Sequence, residues 1–147
     1  MTQRYVVVDL ETTGNSVKKG VKIIQSAAVV VEDDSIVDEF STFINPEQTL
    51  TPFIEDLTGI TDKQLQQAPK FSEVAPTIVE YLKDACFVAH NVLFDLSFLQ
   101  DELVADGYEP FYCSTIDTVE LAKIMRPCAT SYKLLHLATE EGFEHDR

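Results

Sequence analysis

The sequence predicts an α/β fold in which helices flank a mixed sheet, and two observations support this prediction. Three β-branched runs come first and are separated by polar turn segments, so they predict an antiparallel meander. Shorter apolar runs then alternate with segments of helical periodicity, which is typical of parallel strands joined by helices. With 147 residues, 45% of them hydrophobic, the chain can form one domain with its own core.

The first half of the chain contains the meander. The predicted strands are Arg4–Leu10, Lys22–Glu32 and Ile36–Ile44. Short polar residues at 33–35 suit a tight turn between the second and third strands. The segment 45–69 contains three prolines, and we expect only short helical stretches there, at 53–57 and 62–67.

The second half alternates helices and strands. Apolar residues at helical spacing predict a helix over Phe71–Asp84, with Pro76 tolerated near its first turn. The later elements are a strand at Cys86–Ala89, a helix at Leu93–Asp106 with Leu96, Leu99 and Leu103 inward, a strand near Tyr112–Thr115, and helices at Thr118–Met125 and Ser131–Glu141. Gly107, Pro127 and Gly142 mark the ends of the three later helices.

The chain is strongly acidic, with 25 Asp and Glu against 11 Lys and Arg and a formal net charge of −14. The acidic residues are spread over the whole sequence, so they belong to the folded domain rather than to a tail. Because proteins bind phosphate backbones mainly through Lys and Arg, this charge argues against an extended nucleic-acid surface. Lys18, Lys19 and Lys22 form the one local basic cluster, which is either a solvated turn or a phosphate-tracking edge.

The cysteine pattern and the N-terminus bear on location. Cys86, Cys113 and Cys128 are an odd number and lie far apart, which favours a reducing compartment. The sequence shows no signal peptide and no apolar run near the ~18–20 residues that a membrane span needs. We therefore expect a soluble, cytoplasmic protein with no membrane partner.

The first candidate site is the acidic pair at the end of the first strand. Residues i and i+2 of a strand share a face, so Asp9 and Glu11 point the same way. Two carboxylates leaving an apolar strand repel each other, and Mg²⁺ or Mn²⁺ is the natural counter-charge. The alternative is that both acids are simply solvated at a strand end.

The second candidate site follows the Cys86–Ala89 strand. Asp95 lies in the first turn of the next helix, where an acid also stabilises the helix N-terminus. Asn91 can likewise be a turn residue. If this strand runs parallel beside the first, Asp95 reaches the sheet edge that carries Asp9 and Glu11, where open α/β sheets bind ligands.

These residues carry a family resemblance. The segments Asp9–Gly14 and His90–Asp95 resemble the first and second motifs of the DnaQ-like (DEDD) 3′→5′ exonucleases, whose fold is ribonuclease H-like. The run Lys22–Gln25 resembles the second strand of that family, and Thr58–Thr61 resembles the loop between the two motifs. Asp117–Leu121 is typical of the exonuclease-like N-terminal domain of bacterial DinG-type helicases, the nearest resemblance within the family.

The resemblance implies a two-metal mechanism acting on the 3′ end of single-stranded DNA or RNA. Asp9, Glu11 and Asp95 would be the catalytic acids and would hold two Mg²⁺ or Mn²⁺ ions. The residues implied to contact the substrate are Thr12, Thr13, Gly59, Ile60, His90, Asn91 and Phe94. For His90 and Asn91, hydrogen bonding at the helix entry is an equal alternative.

The C-terminal region departs from the family pattern. Relatives carry a third motif, H-x-x-x-x-D or Y-x-x-x-D, after the helix expected at 131–141. His145 has no aspartate five residues later, and Tyr132 is followed at position 136 by histidine. His136 and Glu141 have comparable spacing, but we interpret them as a helix-surface pair. We therefore expect a single domain over residues 1–147 that is truncated before the third motif and the final helix.

Three functional hypotheses follow. The first is a 3′→5′ exonuclease domain of a longer DinG-type helicase or DNA repair or replication protein, completed by residues beyond 147. The second is a catalytically incomplete nucleic-acid-binding or regulatory module attached to a helicase or polymerase. The third is an acidic metal-binding or protein-interaction domain unrelated to nucleic acid, which the net charge favours but the paired motifs oppose.

Overall fold

The computed structural model describes residues 3–15 and 20–143, which form a five-stranded mixed sheet flanked by helices. The strands are β1 (Arg4–Thr12), β2 (Ile23–Glu32), β3 (Ser35–Phe43), β4 (Cys86–Ala89) and β5 (Thr115–Asp117). The helices are α1 (Pro52–Thr58), α2 (Asp62–Gln66), α3 (Phe71–Leu82), α4 (Val92–Ala105), α5 (Thr118–Met125) and α6 (Leu134–Glu140). The predicted α/β mixed sheet is confirmed.

The strand order across the sheet is β3-β2-β1-β4-β5. The meander β1-β2-β3 is antiparallel, as the β-branched runs predicted. β4 pairs in parallel with β1, and β5 pairs in parallel with β4. β1 is therefore the central strand, and it lies where the antiparallel and parallel halves of the sheet meet.

Burial alternates along β1 and separates its two faces. Val6, Val8 and Leu10 are buried and belong to the main core, together with Ile78 of α3 and Phe98 of α4. The intervening residues of the strand are exposed or half-buried, and they include both acids of the first motif. The strand period of two therefore packs one face of β1 against helices and leaves the acidic face open to solvent.

A smaller cluster fixes the segment between β3 and α3. It contains Ile24 of β2 with Leu50, Ile54, Ile60 and Leu65, and all five side chains are buried. These contacts hold α1 and α2 against the end of the meander. Because α1 is only seven residues long, its position depends on this apolar packing.

Caps define the two short helices. The hydroxyl of Thr51 accepts a hydrogen bond from the Ile54 N–H at 3.3 Å, and Pro52 follows at the first helical position. Gly59 ends α1 with a φ of 73°, a left-handed conformation that glycine adopts without steric cost. In α2, Thr61 and Gln64 form a reciprocal capping box.

Three element predictions need correction. β1 extends to Thr12, two residues further than expected. The last strand is Thr115–Asp117 rather than residues 112–115, because Phe87 pairs with Thr115, whereas the aromatic Tyr112 is 94% exposed. The final helix begins at 134 rather than 131, after a turn in which the Lys133 N–H donates to the Ser131 hydroxyl.

The C-terminal part of the structure has no core of its own. Within the described part of the chain, no residue after Leu103 is buried. Most large apolar side chains of α5 and α6 are instead exposed, with Ile124 and Met125 each at least 70% accessible. No helix in residues 3–15 and 20–143 is long and apolar enough to cross a membrane.

Candidate functional site

The two acidic motifs meet at one edge of the sheet. β1 and β4 run parallel, with Val7 opposite Val88, so both strands end at the same edge. Asp9 and Glu11 lie near the end of β1, and Asp95 lies in the first turn of the helix that follows β4. The parallel arrangement that the sequence required for a common site is therefore present.

Electrostatics shows that these acids influence one another. Asp95 is only 5% exposed, and its pKa is raised to about 8, mainly by burial and in addition by the negative charges of Asp9, Glu11 and Asp117. A carboxyl group in this position is costly to ionise unless positive charge comes close to it. The site therefore favours binding of a cation.

The three acids fit a divalent metal by donor chemistry, but they do not form a closed ligand cage. Among the residues that the structure describes, no three His, Cys, Asp or Glu side chains lie close enough together to enclose a metal ion. Asp9 is exposed and Glu11 is half-buried, so both side chains can change rotamer without disturbing the core. Carboxylate oxygens are the donors that Mg²⁺ and Mn²⁺ prefer, and a bound cation would have to draw the three groups together.

A fourth acid, Asp117, holds the start of α4. Its Oδ1 accepts hydrogen bonds from the backbone N–H groups of Asn91 at 3.0 Å and Val119 at 2.9 Å, and its Oδ2 accepts from Val92 at 3.3 Å. Burial raises the pKa of Asp117, but these three N–H groups and that of Glu120 outweigh burial and lower the pKa overall. One carboxylate thus caps α5 and fixes the N-terminus of the helix that carries the buried acid of the site.

The sequence contained a signal for part of this role. Asp117 stands three residues before Glu120 at the start of a helix, which is typical of an N-cap. The bonds to residues 91 and 92 had no local signal, because they join segments more than 20 residues apart.

Asp117→Ala is expected to lower the free energy of unfolding by about 2–4 kcal/mol, because three backbone N–H groups lose a charged acceptor. Urea unfolding followed by circular dichroism measures this change. Asp117→Asn is the matched control: it keeps one oxygen acceptor, and we expect it to lose less than half as much. An Ala variant with the wild-type urea midpoint would contradict the assigned role.

His90 and Asn91 build the entry to α4. The Nε2 of His90 donates to the Tyr132 carbonyl at 2.6 Å, and its Nδ1 forms a hydrogen bond with the Thr118 hydroxyl at 2.9 Å. Asn91 adopts a left-handed conformation with a φ of 75°, which asparagine tolerates well. The His90 side chain thus bonds to later segments of the chain, and the Asn91 side chain makes no capping hydrogen bond to α4. Contact of either residue with substrate stays a prediction.

A groove runs beside Glu11 between the end of β1 and helix α1. Its apolar walls are formed by Phe53 and Leu57 of α1 and by Phe94 of α4. Phe53 is 71% exposed and Leu57 is 61% exposed, although both are large apolar side chains. No motif in the sequence pointed to these two α1 residues, and their spacing of one helical turn was the only signal.

The remaining predicted contact residues surround this groove or support it. Thr12 and Thr13 line its β1 side, and the Thr13 hydroxyl accepts from the Lys22 N–H at 2.9 Å. Gly59 ends α1, and Ile60 is buried in the smaller apolar cluster. Thr12 and Thr13 therefore lie at the groove. Gly59 and Ile60 instead anchor α1, the helix that forms the opposite wall.

Two of the residues considered for a third motif, His136 and Glu141, bond elsewhere than to the acids of the site. His136 pairs with Glu140 on the surface of α6 at 3.0 Å, and Glu141 contacts Arg126. Both residues are surface groups, as expected, but each bonds to another partner, so the predicted pairing of His136 with Glu141 is wrong. His145 lies outside the described residues, as do Lys18 and Lys19 of the basic cluster.

Known sequences resemble this chain over nearly its whole length. The family model described as Exonuclease (RNase_T) matches residues 6–147. The 3′-5′ exonuclease DinG of Bacillus subtilis strain 168 is 47% identical over 145 residues, which cover 99% of this chain and 16% of that protein. DinG of Staphylococcus aureus strain USA300 is 41% identical over 138 residues, covering 94% of this chain and 15% of that protein. The chain thus spans about one sixth of the length of these relatives.

Solved structures share the fold. A product-bound structure of exonuclease I superposes with a TM-score of 0.85 at 20% identity and covers 99% of this chain and 40% of that chain. The zinc-bound form of the E. coli exonuclease I–ssDNA complex gives a TM-score of 0.84 at 20% identity. The match covers 97% of this chain and 36% of that chain. At this identity the likeness concerns the arrangement of strands and helices.

Proposed function

The chain belongs to the exonuclease family, as its two acidic motifs predicted, and on this premise we propose that it is a 3′→5′ exonuclease domain acting on single-stranded nucleic acid. The observation that carries the proposal is the juxtaposition of Asp9, Glu11 and the buried Asp95 at one sheet edge. The relatives of similar sequence are named 3′-5′ exonucleases, and exonuclease I has been crystallised with ssDNA.

The family and the exonuclease I structures imply dependence on a divalent metal. We propose that Asp9, Glu11 and Asp95 would hold two Mg²⁺ or Mn²⁺ ions. Such ions, when bound, would activate the attacking water and stabilise the oxygens on which charge develops. The chain supplies the ligands and, through Asp117, fixes the start of the helix on which Asp95 lies.

The groove beside Glu11 supports binding of a terminal nucleotide. Phe53, Leu57 and Phe94 offer aromatic and apolar surface on which an unpaired base can stack, and every base has such a face. This surface is next to a proposed metal ligand, so a base held there would bring its phosphate close to the acids. With a net charge of −14, the domain would bind nucleic acid weakly in the absence of metal.

The rest of the site is proposed to come from a longer protein. The relatives are about six times as long as this chain, and apolar side chains on α5 and α6 are exposed. We propose that the third motif, with its His or Tyr and its fourth Asp, and a helicase or polymerase module, lie in such a longer chain. Exposed apolar surface of this kind marks contact with further polypeptide.

The test uses 5′-labelled single-stranded DNA and RNA, incubated with Mn²⁺ or with EDTA. The longer protein that contains this sequence is expected to produce a ladder shortened from the 3′ end only when metal is present. Asp9→Asn is expected to remove the ladder, with a loss of about 1,000-fold in rate if several kcal/mol of transition-state stabilisation disappear. Asp34→Asn is the matched control, because Asp34 is an exposed acid in the β2–β3 turn.

The second candidate function is a catalytically incomplete binding module. It is favoured by one observation: in residues 3–15 and 20–143 no three potential ligands enclose a metal site. If the longer protein binds single-stranded DNA but leaves a 5′-labelled strand intact with Mn²⁺, the binding module replaces the exonuclease.

A further inference from the structure

A second buried acid on α4 has no part in the metal site as proposed. Glu102 is 7% exposed and lies seven residues, two helical turns, after Asp95, so both acids are on the buried face of the helix. Its Oε2 accepts a hydrogen bond from the backbone N–H of Ile23 at 2.9 Å. Ile23 is fully buried, so its N–H cannot turn to water if this acceptor is removed.

The bond connects α4 to the strand pair that carries the other two acids. Ile23 is the first residue of β2 and pairs with Thr12, where the register shifts directly after Glu11. The preceding residue, Lys22, exchanges two hydrogen bonds with Thr13: its carbonyl accepts from the Thr13 N–H at 2.8 Å, and its N–H donates to the Thr13 hydroxyl at 2.9 Å. A continuous series of bonded groups therefore runs from α4 to the turn that follows the first motif.

We propose that Glu102 is a positioning residue that sets the distance between Asp95 on α4 and Glu11 on β1 through its bond to Ile23. The inference rests on the proposed function, because it concerns the same acids. It assigns Glu102 no contact with metal or substrate. Its role is to keep the helix that carries one metal ligand in register with the strand that carries the other two.

The free-energy cost of burying the Glu102 carboxyl group indicates that its hydrogen bond to Ile23 has a role that an apolar side chain could not fill. Burial raises the pKa of Glu102 to about 7, even though the Ile23 N–H and the charge of Lys22 lower it. An apolar side chain of similar size would avoid this cost but could not accept from a backbone N–H. Burying this carboxyl group therefore lowers the stability of the fold, but it provides an oriented hydrogen bond to the Ile23 N–H.

The test compares two substitutions of Glu102. Glu102→Gln keeps an oxygen acceptor, whereas Glu102→Met has a side chain of similar length but no oxygen acceptor. Mn²⁺ affinity is measured by titration calorimetry on this chain, and kcat and KM are measured in the longer protein. We expect Glu102→Met to bind Mn²⁺ about tenfold more weakly and to lose about tenfold in kcat, the range found for residues that orient metal ligands. KM for DNA should stay unchanged, and Glu102→Gln should remain within about twofold of wild type.

Hydrogen exchange at Ile23 and Thr13 in the metal-free chain provides a readout independent of metal, and Glu102→Met should increase both rates. Asp101→Asn, an exposed neighbour on α4, controls for the loss of charge.

If Glu102→Met does not fold, Glu102→Asp makes the same comparison by shortening the side chain by one methylene. Wild-type Mn²⁺ affinity and kcat in a folded Glu102→Met variant would overturn the inference, as would a Glu102→Gln variant that is equally impaired. A wild-type longer protein that neither binds Mn²⁺ nor cleaves DNA would instead overturn the proposed function, and the inference with it.

Discussion

Asp95→Asn is expected to abolish metal-dependent cleavage and, in the absence of metal, to make the chain more stable. Asp95 is 5% exposed, and burial together with the charges of Asp9, Glu11 and Asp117 raises its pKa from 3.8 to about 8. At pH 7 the folded, metal-free chain must therefore protonate a carboxyl group that is ionised when unfolded. At about 1.4 kcal/mol per pKa unit, this penalty is at most on the order of 4 kcal/mol.

Asparagine has the same shape and no charge, so it avoids most of that penalty. Because its amide must still find hydrogen-bond partners, we expect a net gain of about 1–3 kcal/mol in the free energy of unfolding. Activity should fall about 1,000-fold, because a lost metal ligand removes several kcal/mol of transition-state stabilisation. The same substitution thus separates function from stability.

Urea unfolding in EDTA at pH 7 measures the change in stability, and Mn²⁺ titration measures the loss of binding. Asp101→Asn removes an exposed acid from the same helix and should change neither quantity. An Asp95→Asn chain that is less stable than wild type in EDTA would show that the carboxyl group is not under electrostatic stress. Retained Mn²⁺ affinity would place the metal elsewhere.

The metal-free chain is expected to lose stability as the pH rises from about 4 to 8. Two buried acids have raised pKa values in the folded chain: about 8 for Asp95, from 3.8, and about 7 for Glu102, from 4.5. Between the ordinary and the raised pKa values the folded chain holds more protons than the unfolded chain, so stability decreases with increasing pH. The stabilisation that protonated Asp95 and Glu102 contribute to the free energy of unfolding is complete below about pH 4. It is lost as the pH rises through 7 to 8.

The expected loss between pH 4 and pH 8 is at most on the order of 8 kcal/mol. The lowered pKa of Asp117 acts in the opposite sense, but it affects stability only at lower pH, as that carboxylate becomes protonated. Mn²⁺ should restore stability most strongly at pH 8, where the carboxylates are ionised and can bind it.

Unfolding midpoints in urea at pH 5, 6.5 and 8, with EDTA or with Mn²⁺, test this dependence. The double variant Asp95→Asn/Glu102→Gln should show a much flatter profile in EDTA, because neither replacement titrates. If the wild-type chain in EDTA is more stable at pH 8 than at pH 5, both raised pKa values are contradicted.

Local patterns in the sequence were sufficient to predict the architecture and the two acidic motifs. The β-branched runs identified the meander, and the strand period of two placed Asp9 and Glu11 on one face of β1. The order of strand and helix around Asp95 placed this acid at the same edge on the condition that β4 lies parallel beside β1, and the structure meets that condition. The runs and the strand period depend on residues within a few positions of one another, so the sequence alone carries them.

Other features depend on contacts between distant segments. The sequence placed the last strand too early, because pairing with Phe87, not the aromatic character of Tyr112, decides where β5 lies. It did not predict that Asp117 would hold Asn91, nor that Glu102 would reach Ile23, 79 positions away. It also missed the exposed walls of the groove on α1.

The sequence by itself determined the α/β fold, the exonuclease motifs and the identity of the three acids proposed to hold metal. Only the tertiary structure decided which of them is buried, how strongly they interact, and which backbone contacts hold α4 and β1 in place. The physical reason is that hydrophobic periodicity is a short-range property of the chain. Burial and pKa shifts arise only when segments far apart in sequence pack together and exclude water.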